Sequence, residues 1–369
     1  MTTTSLLEDK LRELALFESS SLPVLSVYVN TQADQHGRAN FEPFLRKELK
    51  AKAATYALRS PERDSFDRDA EKIIEYLGKE LRASSHGVAI FACAGANDFF
   101  EALQLDAPID TNQFFVAHHP HLYTLARLND QYPAYAAVIA NTNSARIFVF
   151  GLAAAMETDT VNSPKLGRTQ AGGWNQARYQ RRVDNFHSQH AKEVLETLEK
   201  IVRDEGIQHI IFSGDEVILP VLHEQLSPFL AGKVVDDLRL NMTTPQSEIL
   251  QATLASMREF DSRTDADETH ALIGAYRAGG LAAAGVEEVL AALANGQVDT
   301  LFLSTVIEQS QPSDQKAASP IIGETVTDAS VTDELITRAK QTGAHVKFVE
   351  DAALLAPIGG VGATLRYKI

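Results

Sequence analysis

Residues 164–182, PKLGRTQAGGWNQARYQRR, gather side chains that could do chemistry on a phosphate-rich partner. Gly172-Gly173 opens backbone conformations closed to other residues and lets the chain approach a ligand closely. A helix is expected to start just beyond, so its first amides and positive dipole end would face a phosphate or a developing oxyanion. Gln176 stands at that entry. Its amide does not titrate, so it cannot be a general acid or base, but it can orient a water or donate to an oxyanion. Trp174, the only tryptophan, could stack on a base or wedge into a pocket. Lys165, Arg168, Arg178, Arg181 and Arg182 are five positive charges with no acid between residues 161 and 183, in a chain whose net charge is −15. The sum argues against a nucleic-acid partner, but the distribution matters more, and this segment is a local phosphate-binding footprint. The same composition also fits a solvated loop with a glycine hinge and a basic helix face.

The elements that would position this segment can be read from periodicity. Before it, residues 134–140 (AYAAVIA) and 145–151 (ARIFVFG) are apolar strands joined by Asn141-Thr142-Asn143-Ser144, a hairpin signal. Residues 152–175 lose periodicity and read as a long loop, a type that is often functional. After it, Tyr179, Val183, Phe186, His190, Val194, Leu198 and Ile201 recur at three- and four-residue steps and predict a long helix with one apolar stripe. A strand over 209–214 and a helix around 216–230 complete this middle block. The first block predicts strands at 23–29, 87–93, 99–105 and near 121–127, with helices at 41–58 and 67–82. The last predicts helices at 268–278, 283–294 and 331–342, strands at 298–304 and 345–350, a mobile loop at 305–330, and a final strand. Three domains are expected, 1–130, 131–262 and 263–369, of α/β class. No internal repeat is present.

With these residues in view, GRTQAGGWNQARYQRRVDNFHSQHAKEV resembles the catalytic loop and following helix of archaeal and eukaryotic class I peptide-chain release factors. Those carry a Gly-Arg, a Gly-Gly-Gln tip and a basic helix. Gly167-Arg168, Gly172-Gly173, Gln176, Arg178-Tyr179 and Arg181-Arg182 occupy the comparable places. Trp174-Asn175 separates the glycine pair from the glutamine. That is either an accommodated insertion or a displacement of Gln176 from the reactive ester. AAVIANTNSARIFVFG is similar to the hairpin opening the family's central domain, and GLAAAGVEEVLAALANGQVDTLFLS and GGVGATLRY resemble its C-terminal domain, shared with Pelota. The chain is identified as a bacterial relative of the release-factor and Pelota superfamily, which includes Balon-type ribosome hibernation factors. The resemblance implies a central RNase H-like α/β domain and a C-terminal α/β/α sandwich. It implies binding in the ribosomal A site, with the loop in the peptidyl transferase centre against rRNA and peptidyl-tRNA. Gly172, Gly173 and Gln176 would be the catalytic residues for peptidyl-tRNA hydrolysis. Lys165, Arg168, Trp174, Arg178, Arg181 and Arg182 would bind RNA. The stop-codon-reading motifs of the eukaryotic factors have no counterpart, which implies codon-independent action. The alternative is a non-catalytic hibernation factor on idle ribosomes. The family's third domain meets a translational GTPase, so such a partner is implied.

Other chemistries find less support. His118-His119-Pro120-His121 is a histidine cluster, but no carboxylate or cysteine stands at metal-ligand spacing, so no metal site is expected. A Gly-x-Ser-x-Gly elbow and a Gly-x4-Gly-Lys phosphate loop are both missing. A ribonuclease would need a metal-binding carboxylate cluster, which the sequence does not assemble. Gly359-Gly360-Val361-Gly362 reads as a turn before the last strand and not as a cofactor cradle, and no cofactor is expected. The lone cysteine, Cys93, lies in an apolar run and reads as a buried thiol. No stretch is long and apolar enough for a membrane helix. The opening MTTTSLLEDKLREL reads as a short amphipathic helix without a leader pattern, so the expected location is the cytoplasm.

Overall fold

The computed structural model describes residues 3–18, 22–32, 41–82, 85–152, 154–162, 176–305 and 329–368. It is a mixed α/β protein, as expected. The chain divides into two compact units. Met1–Leu6 with Pro133–Asp261 form one, and Leu7–Tyr132 with Ser262–Ile369 form the other.

The first third of the chain carries α1 (Thr3–Ala15), β1 (Val24–Asn30), α2 (Phe41–Ala53), α3 (Pro61–Lys79), β2 (Gly87–Cys93), β3 (Phe99–Leu105), β4 (Gln113–Ala117) and α4 (Tyr123–Gln131). Its antiparallel sheet runs β3-β2-β1-β4. Alternation sends Leu25, Val27, Val29, Val88, Ile90 and Ala92 to one face, where α2 and α3 cover them with Phe41, Leu45, Leu49, Phe66 and Ile73. Tyr28 and Phe91 meet edge to face, and Cys93 is buried as a free thiol. Ser60 opens α3 by accepting from the Arg63 amide, with Pro61 at the first helical position. Asp69 of α3 is 1 % exposed and accepts from the Ala94 amide at 2.9 Å. It thereby anchors the β2–β3 turn, in which Asn97 and Asp98 both take positive φ. Burial pushes the Asp69 carboxyl up to about 6, against the Ala94 hydrogen bond and the attraction of Lys72 and Arg68.

The predicted strand near 121–127 is instead helix α4, and the strand closing the sheet is β4. Tyr and Thr in LYTLARL favour a strand locally. The helix is selected by tertiary contact, because Leu122, Tyr123, Leu125, Ala126 and Leu128 are all buried. Its start also lacks a local cap. The Asp333 carboxylate, from the far end of the chain, accepts from the Leu122 and Tyr123 amides at 2.6 and 3.0 Å.

The middle of the chain carries β5 (Tyr135–Ala140), β6 (Ser144–Gly151), β7 (Ala154–Asn162), α5 (Gln176–Asp204), β8 (His209–Gly214), α6 (Ile218–Glu224), α7 (Pro228–Ala231), β9 (Val234–Leu238) and α8 (Gln246–Arg277). The sheet order is β7-β6-β5-β8-β9. β5 and β6, and β6 and β7, pair antiparallel, whereas β8 lies parallel to both β5 and β9. Ala136, Val138, Ile147, Ile210 and Phe212 pack under α5 on one face. Tyr135, Ile139, Phe148, Phe150 and Ile211 pack with Ile249 and Met257 of α8 on the other. Part of the long loop predicted over 152–175 is therefore an edge strand, whose acidic and small residues hid it. The remainder, 163–175, lies outside the described residues. The single helix predicted around 216–230 is two short ones, broken at Ser227-Pro228, and β9 follows them.

The last third carries β10 (Ala282–Ala284), α9 (Val286–Ala294), β11 (Val298–Ser304), α10 (Ala329–Gln341), β12 (His345–Val349), α11 (Ala352–Leu355) and β13 (Val361–Leu365), in a sheet ordered β10-β13-β11-β12. Two differences from expectation stand out. The helix predicted at 268–278 is the end of the 32-residue α8, and β10 precedes α9. Most of the loop predicted at 305–330 lies outside the described residues. Gly359 and Gly360, at φ 77° and 80°, make the predicted turn into the last strand.

The first and last thirds share a polar seam. Besides Asp333 on α4, Asp130 accepts from the Phe348 amide at 2.8 Å, Lys340 donates to Glu8 at 2.9 Å, and Gln341 donates to the Ala15 carbonyl at 2.7 Å. Tyr123 meets Phe348 edge to face at 5.3 Å.

Two outcomes are expected. Asp333→Ala leaves two helix-start amides without an acceptor and should lower unfolding stability by roughly 2–4 kcal/mol in urea titration, while Asp333→Asn should lose less. Asp69 has a folded pKa above its unfolded one, so its contribution to stability is present below about pH 4 and lost as pH rises through 6. Asp69→Asn cannot charge. Its stability relative to wild type should climb by about 2 kcal/mol between pH 4 and pH 7; parallel pH profiles would contradict the buried charge.

Candidate functional site: a cationic arm at the edge of the central sheet

Four chain segments meet at one edge of the central sheet. Ala140 ends β5 opposite Ala145 and Gly214, and Ser144 of β6 pairs with Asn162, the last residue of β7. This is the carboxyl edge of the parallel strands, where open α/β sheets usually bind ligands. Gly214 is needed here, because a Cβ would lie 2.5 Å from the Ala140 carbonyl oxygen. Beyond it, Asp215 caps α6 by accepting from the Val217 and Ile218 amides at 3.0 and 2.8 Å.

The turn between β5 and β6 is tied by one side chain. Asn141 Oδ1 accepts from the Asn143 and Ser144 amides, both at 2.8 Å, and from the Ser144 hydroxyl at 3.2 Å. Asn side chains favour this kind of local bonding, which is why the tetrapeptide is legible as a turn. On the opposite face, Arg146 reaches past the Phe148 ring to donate to the Met242 and Thr244 carbonyls at 3.0 and 3.1 Å. It fixes the segment after β9 to the same edge.

Helix α5 changes character along its length. From His190 onward it is a core helix, with Ala191, Val194, Leu195, Leu198, Ile201 and Val202 buried against the sheet. From Arg181 to Gln189 no residue is buried, and Val183 and Phe186 are only half-buried. Of the apolar stripe predicted from Tyr179 to Ile201, Val183 and Phe186 are thus half-buried, and His190, Val194, Leu198 and Ile201 are buried. The 14 residues from Gln176 to Gln189 extend about 21 Å as helix. α6 packs Ile218 and Leu222 into the same core cluster as α5, and just beyond it Gln225 Nε2 donates to the Ser188 hydroxyl at 3.0 Å.

His190 is 1 % exposed. Burial lowers its pKa, opposed by the nearby backbone of Ser144, by Glu193 and by the backbone of Asn141. Sequence reading counts His190 as one more member of the apolar stripe.

The predicted site residues fall as follows. Arg181 and Arg182 are exposed on the arm. Gln176 is the first residue of α5, and Arg178 lies in its first turn. Lys165, Arg168, Gly172, Gly173 and Trp174 lie outside the described residues. The arm is cationic by composition: 176–189 holds Arg178, Arg181 and Arg182 against Asp184 alone. The core half of α5 is balanced by pairs such as Arg203–Glu199 at 2.6 Å and Lys192–Glu196 at 3.8 Å.

The histidine cluster is split. His118 and His119 are exposed, whereas His121 is buried, stacked on Phe115 at 3.7 Å and 3.4 Å from Asp333. Its carboxylate neighbour is thus more than 200 residues away in sequence. Among the described residues no group of three or more His, Cys, Asp or Glu could hold a metal ion, and no helix is long and apolar enough to cross a membrane.

Comparison with known proteins agrees with this layout. Residues 120–258 match the model of bacterial archaeo-eukaryotic release factor family 10, and residues 274–369 match eRF1 domain 3. Two uncharacterized proteins from two strains of Mycobacterium tuberculosis are each 24% identical over 341 residues, covering 88% of this chain and 86% of theirs. Among solved structures, the archaeal translation termination factor aRF1 is 16% identical over 99% of this chain and 98% of its own, with a TM-score of 0.29. Archaeoglobus fulgidus Pelota is 15% identical over 77% of this chain and 80% of its own, with a TM-score of 0.36. The Saccharomyces cerevisiae translation termination-like factor Dom34, which interacts with Hbs1, is 10% identical over 77% and 79%, with a TM-score of 0.43. The stretch that carries the central sheet and α5 is thus similar to a bacterial family of archaeo-eukaryotic release factors, and the C-terminal segment is similar to domain 3 of eRF1.

Proposed function

We propose that this release-factor-like protein binds the ribosomal A site and hydrolyses peptidyl-tRNA without reading a stop codon. The observation that carries this reading is the stretch Arg181–Gln189 of α5, in which no residue is buried and Arg181 and Arg182 are exposed, within the family-matched region. A helix that exposes arginines and leaves its apolar positions half-covered has no role in its own core. It suits insertion into an RNA-walled channel, where phosphates take the positive charge.

In this reading the arm carries residues 163–175 into the peptidyl transferase centre. Lys165, Arg168, Arg178, Arg181 and Arg182 contact rRNA or tRNA phosphates, and Trp174 stacks on a base. Gly172 and Gly173 shape the tip. Gln176 positions a water against the ester that joins peptide to tRNA, through its side chain or its backbone amide, which is unpaired within the helix because Gln176 is the first residue. No protein group on the arm need act as a base. The proton passes through the terminal ribose hydroxyl of the tRNA, and catalysis consists of positioning and oxyanion stabilisation. The acidic remainder of the protein keeps it soluble. The stretch matching eRF1 domain 3 is where a translational GTPase would dock.

A second reading is favoured by the spacing of the tip. Trp174-Asn175 stands between the glycine pair and Gln176, and Gln176 already belongs to the helix. A glutamine held in that first turn is less free to reach the ester. The arm would then occupy idle ribosomes without releasing peptide, as a hibernation factor.

Ribosome co-sedimentation tests the shared part. Binding should weaken steeply with salt, and Arg181→Ala/Arg182→Ala should reduce the slope of log affinity against log salt by about 1–2. Salt-independent binding would end the arm assignment. Peptide release from ribosomes with labelled peptidyl-tRNA and an empty A site then separates the two readings. Release by wild type and not by Gln176→Ala is the expected result for the hydrolase. Binding by both with release by neither leaves the hibernation factor.

A further inference from the structure

We propose that the first and last thirds of the chain form one body that does not hinge, because α4 stays folded only while both hold it. The first and last of the three domains expected from the sequence are then a single working part. Every contact behind this lies within the compact unit formed by Leu7–Tyr132 and Ser262–Ile369.

Helix α4 is nine residues long, and its N-cap, Leu122, makes no side-chain bond to it. Helices shorter than about 12–15 residues are marginal alone in water. Both ends of α4 are fastened to the last third. Asp333 of α10 accepts from the Leu122 and Tyr123 amides at 2.6 and 3.0 Å. At the far end Asp130 accepts from the Phe348 amide of β12 at 2.8 Å, and the Tyr123 ring meets Phe348 edge to face. The approach to α4 is fastened to the first sheet instead. The Tyr28 hydroxyl donates to the His121 carbonyl at 2.6 Å, and the His121 amide donates to the Ser26 hydroxyl at 2.9 Å. Helix α1 straps the same two helices together. Its Glu8 carboxylate accepts from Asn129 of α4 at 2.6 Å and from Lys340 of α10 at 2.9 Å, and Gln341 donates to the Ala15 carbonyl at 2.7 Å. Leu125 of α4 and Leu335, Ile336 and Ala339 of α10 are fully buried.

Domain interfaces that open in solution are modest in size and polar, and water replaces the bonds they lose. Water can replace the hydrogen bonds of this seam too. It cannot replace the apolar cover of a nine-residue helix without a side-chain cap of its own, so α4 unfolds when α10 leaves. The His121 link to β1 then has no fixed far end, and the first sheet loses the helix that closes it. Separation of the two thirds is therefore an unfolding event and not a hinge motion. A partner that grips the stretch matching eRF1 domain 3 carries the first sheet with it. That consequence rests on the docking reading above, whereas the clasp itself does not.

Native-state amide hydrogen exchange on the full chain tests the clasp. Three groups of amides are followed as urea is raised below the unfolding transition: β1 with β2, β11 with β12, and β5 with β8. In wild type the slowest amides of the first two groups should converge on one opening with one urea dependence. Asp333→Ala should speed exchange by roughly tenfold or more in both of those groups and leave β5 and β8 within about twofold of wild type. Asp130→Ala, which cuts the other end of α4, should accelerate the same two groups by a smaller factor. Two separate openings in wild type overturn the single body, and that measurement decides the matter even where Asp333→Ala does not fold. Acceleration by Asp333→Ala confined to β11 and β12, or equal in all three groups, also overturns it. No partner is present in these measurements. Failure of the clasp therefore leaves the functional reading standing, and absence of ribosome binding leaves the clasp standing.

Discussion

A helix needs acceptors for its first amides, and α4 has none of its own. Leu122 stands at its N-cap and offers no side-chain oxygen. The Asp333 carboxylate answers that need from α10, 4 % exposed and bonded to two amides of α4. Much of the larger unit depends on this exchange. Tyr28, in the middle of the first sheet, donates to the His121 carbonyl at 2.6 Å, and the His121 amide donates to Ser26 at 2.9 Å. The segment that leads into α4 is therefore bonded to β1 on one side and to Asp333 on the other. Asp130, at the opposite end of the same helix, accepts from Phe348 on β12, the edge strand of the C-terminal sheet. Edge strands left open invite pairing with other chains. Here a side chain from α4 meets that edge, and two sheets distant in sequence share one compact unit.

The smaller unit obeys a different constraint. Its sheet must be covered on both faces, and α5 covers one of them with only half its length. The covering half carries the charge pairs and buried aliphatics of an ordinary core helix. The other half carries arginines and half-covered apolar side chains. Continuity of a single helix across that boundary gives the arm a stiffness that a loop of the same length would lack, since each added residue contributes a backbone hydrogen bond.

Legibility in the sequence followed the locality of the cause. The β5–β6 hairpin was readable because both strands are apolar and Asn141 makes its bonds within three residues. The turn at Gly359-Gly360 was readable for the same reason. The strand β7 was not, because an edge strand need bury little and AAMETDTVN shows no stripe. Nor was the full length of α8. Its inward positions include Thr253, Ser256, Asp265 and Thr269, all buried, so the stripe that packs is partly polar and escapes an apolar pattern. Two of these are satisfied by distant partners, Thr253 by Tyr135 at 2.9 Å and Ser256 by Asp236 at 2.6 Å. Asp265 is paired with Lys347 at 3.1 Å, and burial raises its pKa despite that ion pair. The strand expected at 121–127 was a helix because its cap lay some two hundred residues downstream.

The sequence by itself determined the chemistry on offer: a glycine pair, a glutamine and five cations in an acid-free run, a helix following them, and a pattern shared with release factors. These are matters of residue type and short spacing, which a linear chain displays directly. Only the tertiary structure decided how much of that helix would be arm and how much core. It also decided that Asp333 would complete α4. Such pairings satisfy buried donors and acceptors across long loops, and no local pattern records which groups will be left needing a partner until the chain has folded.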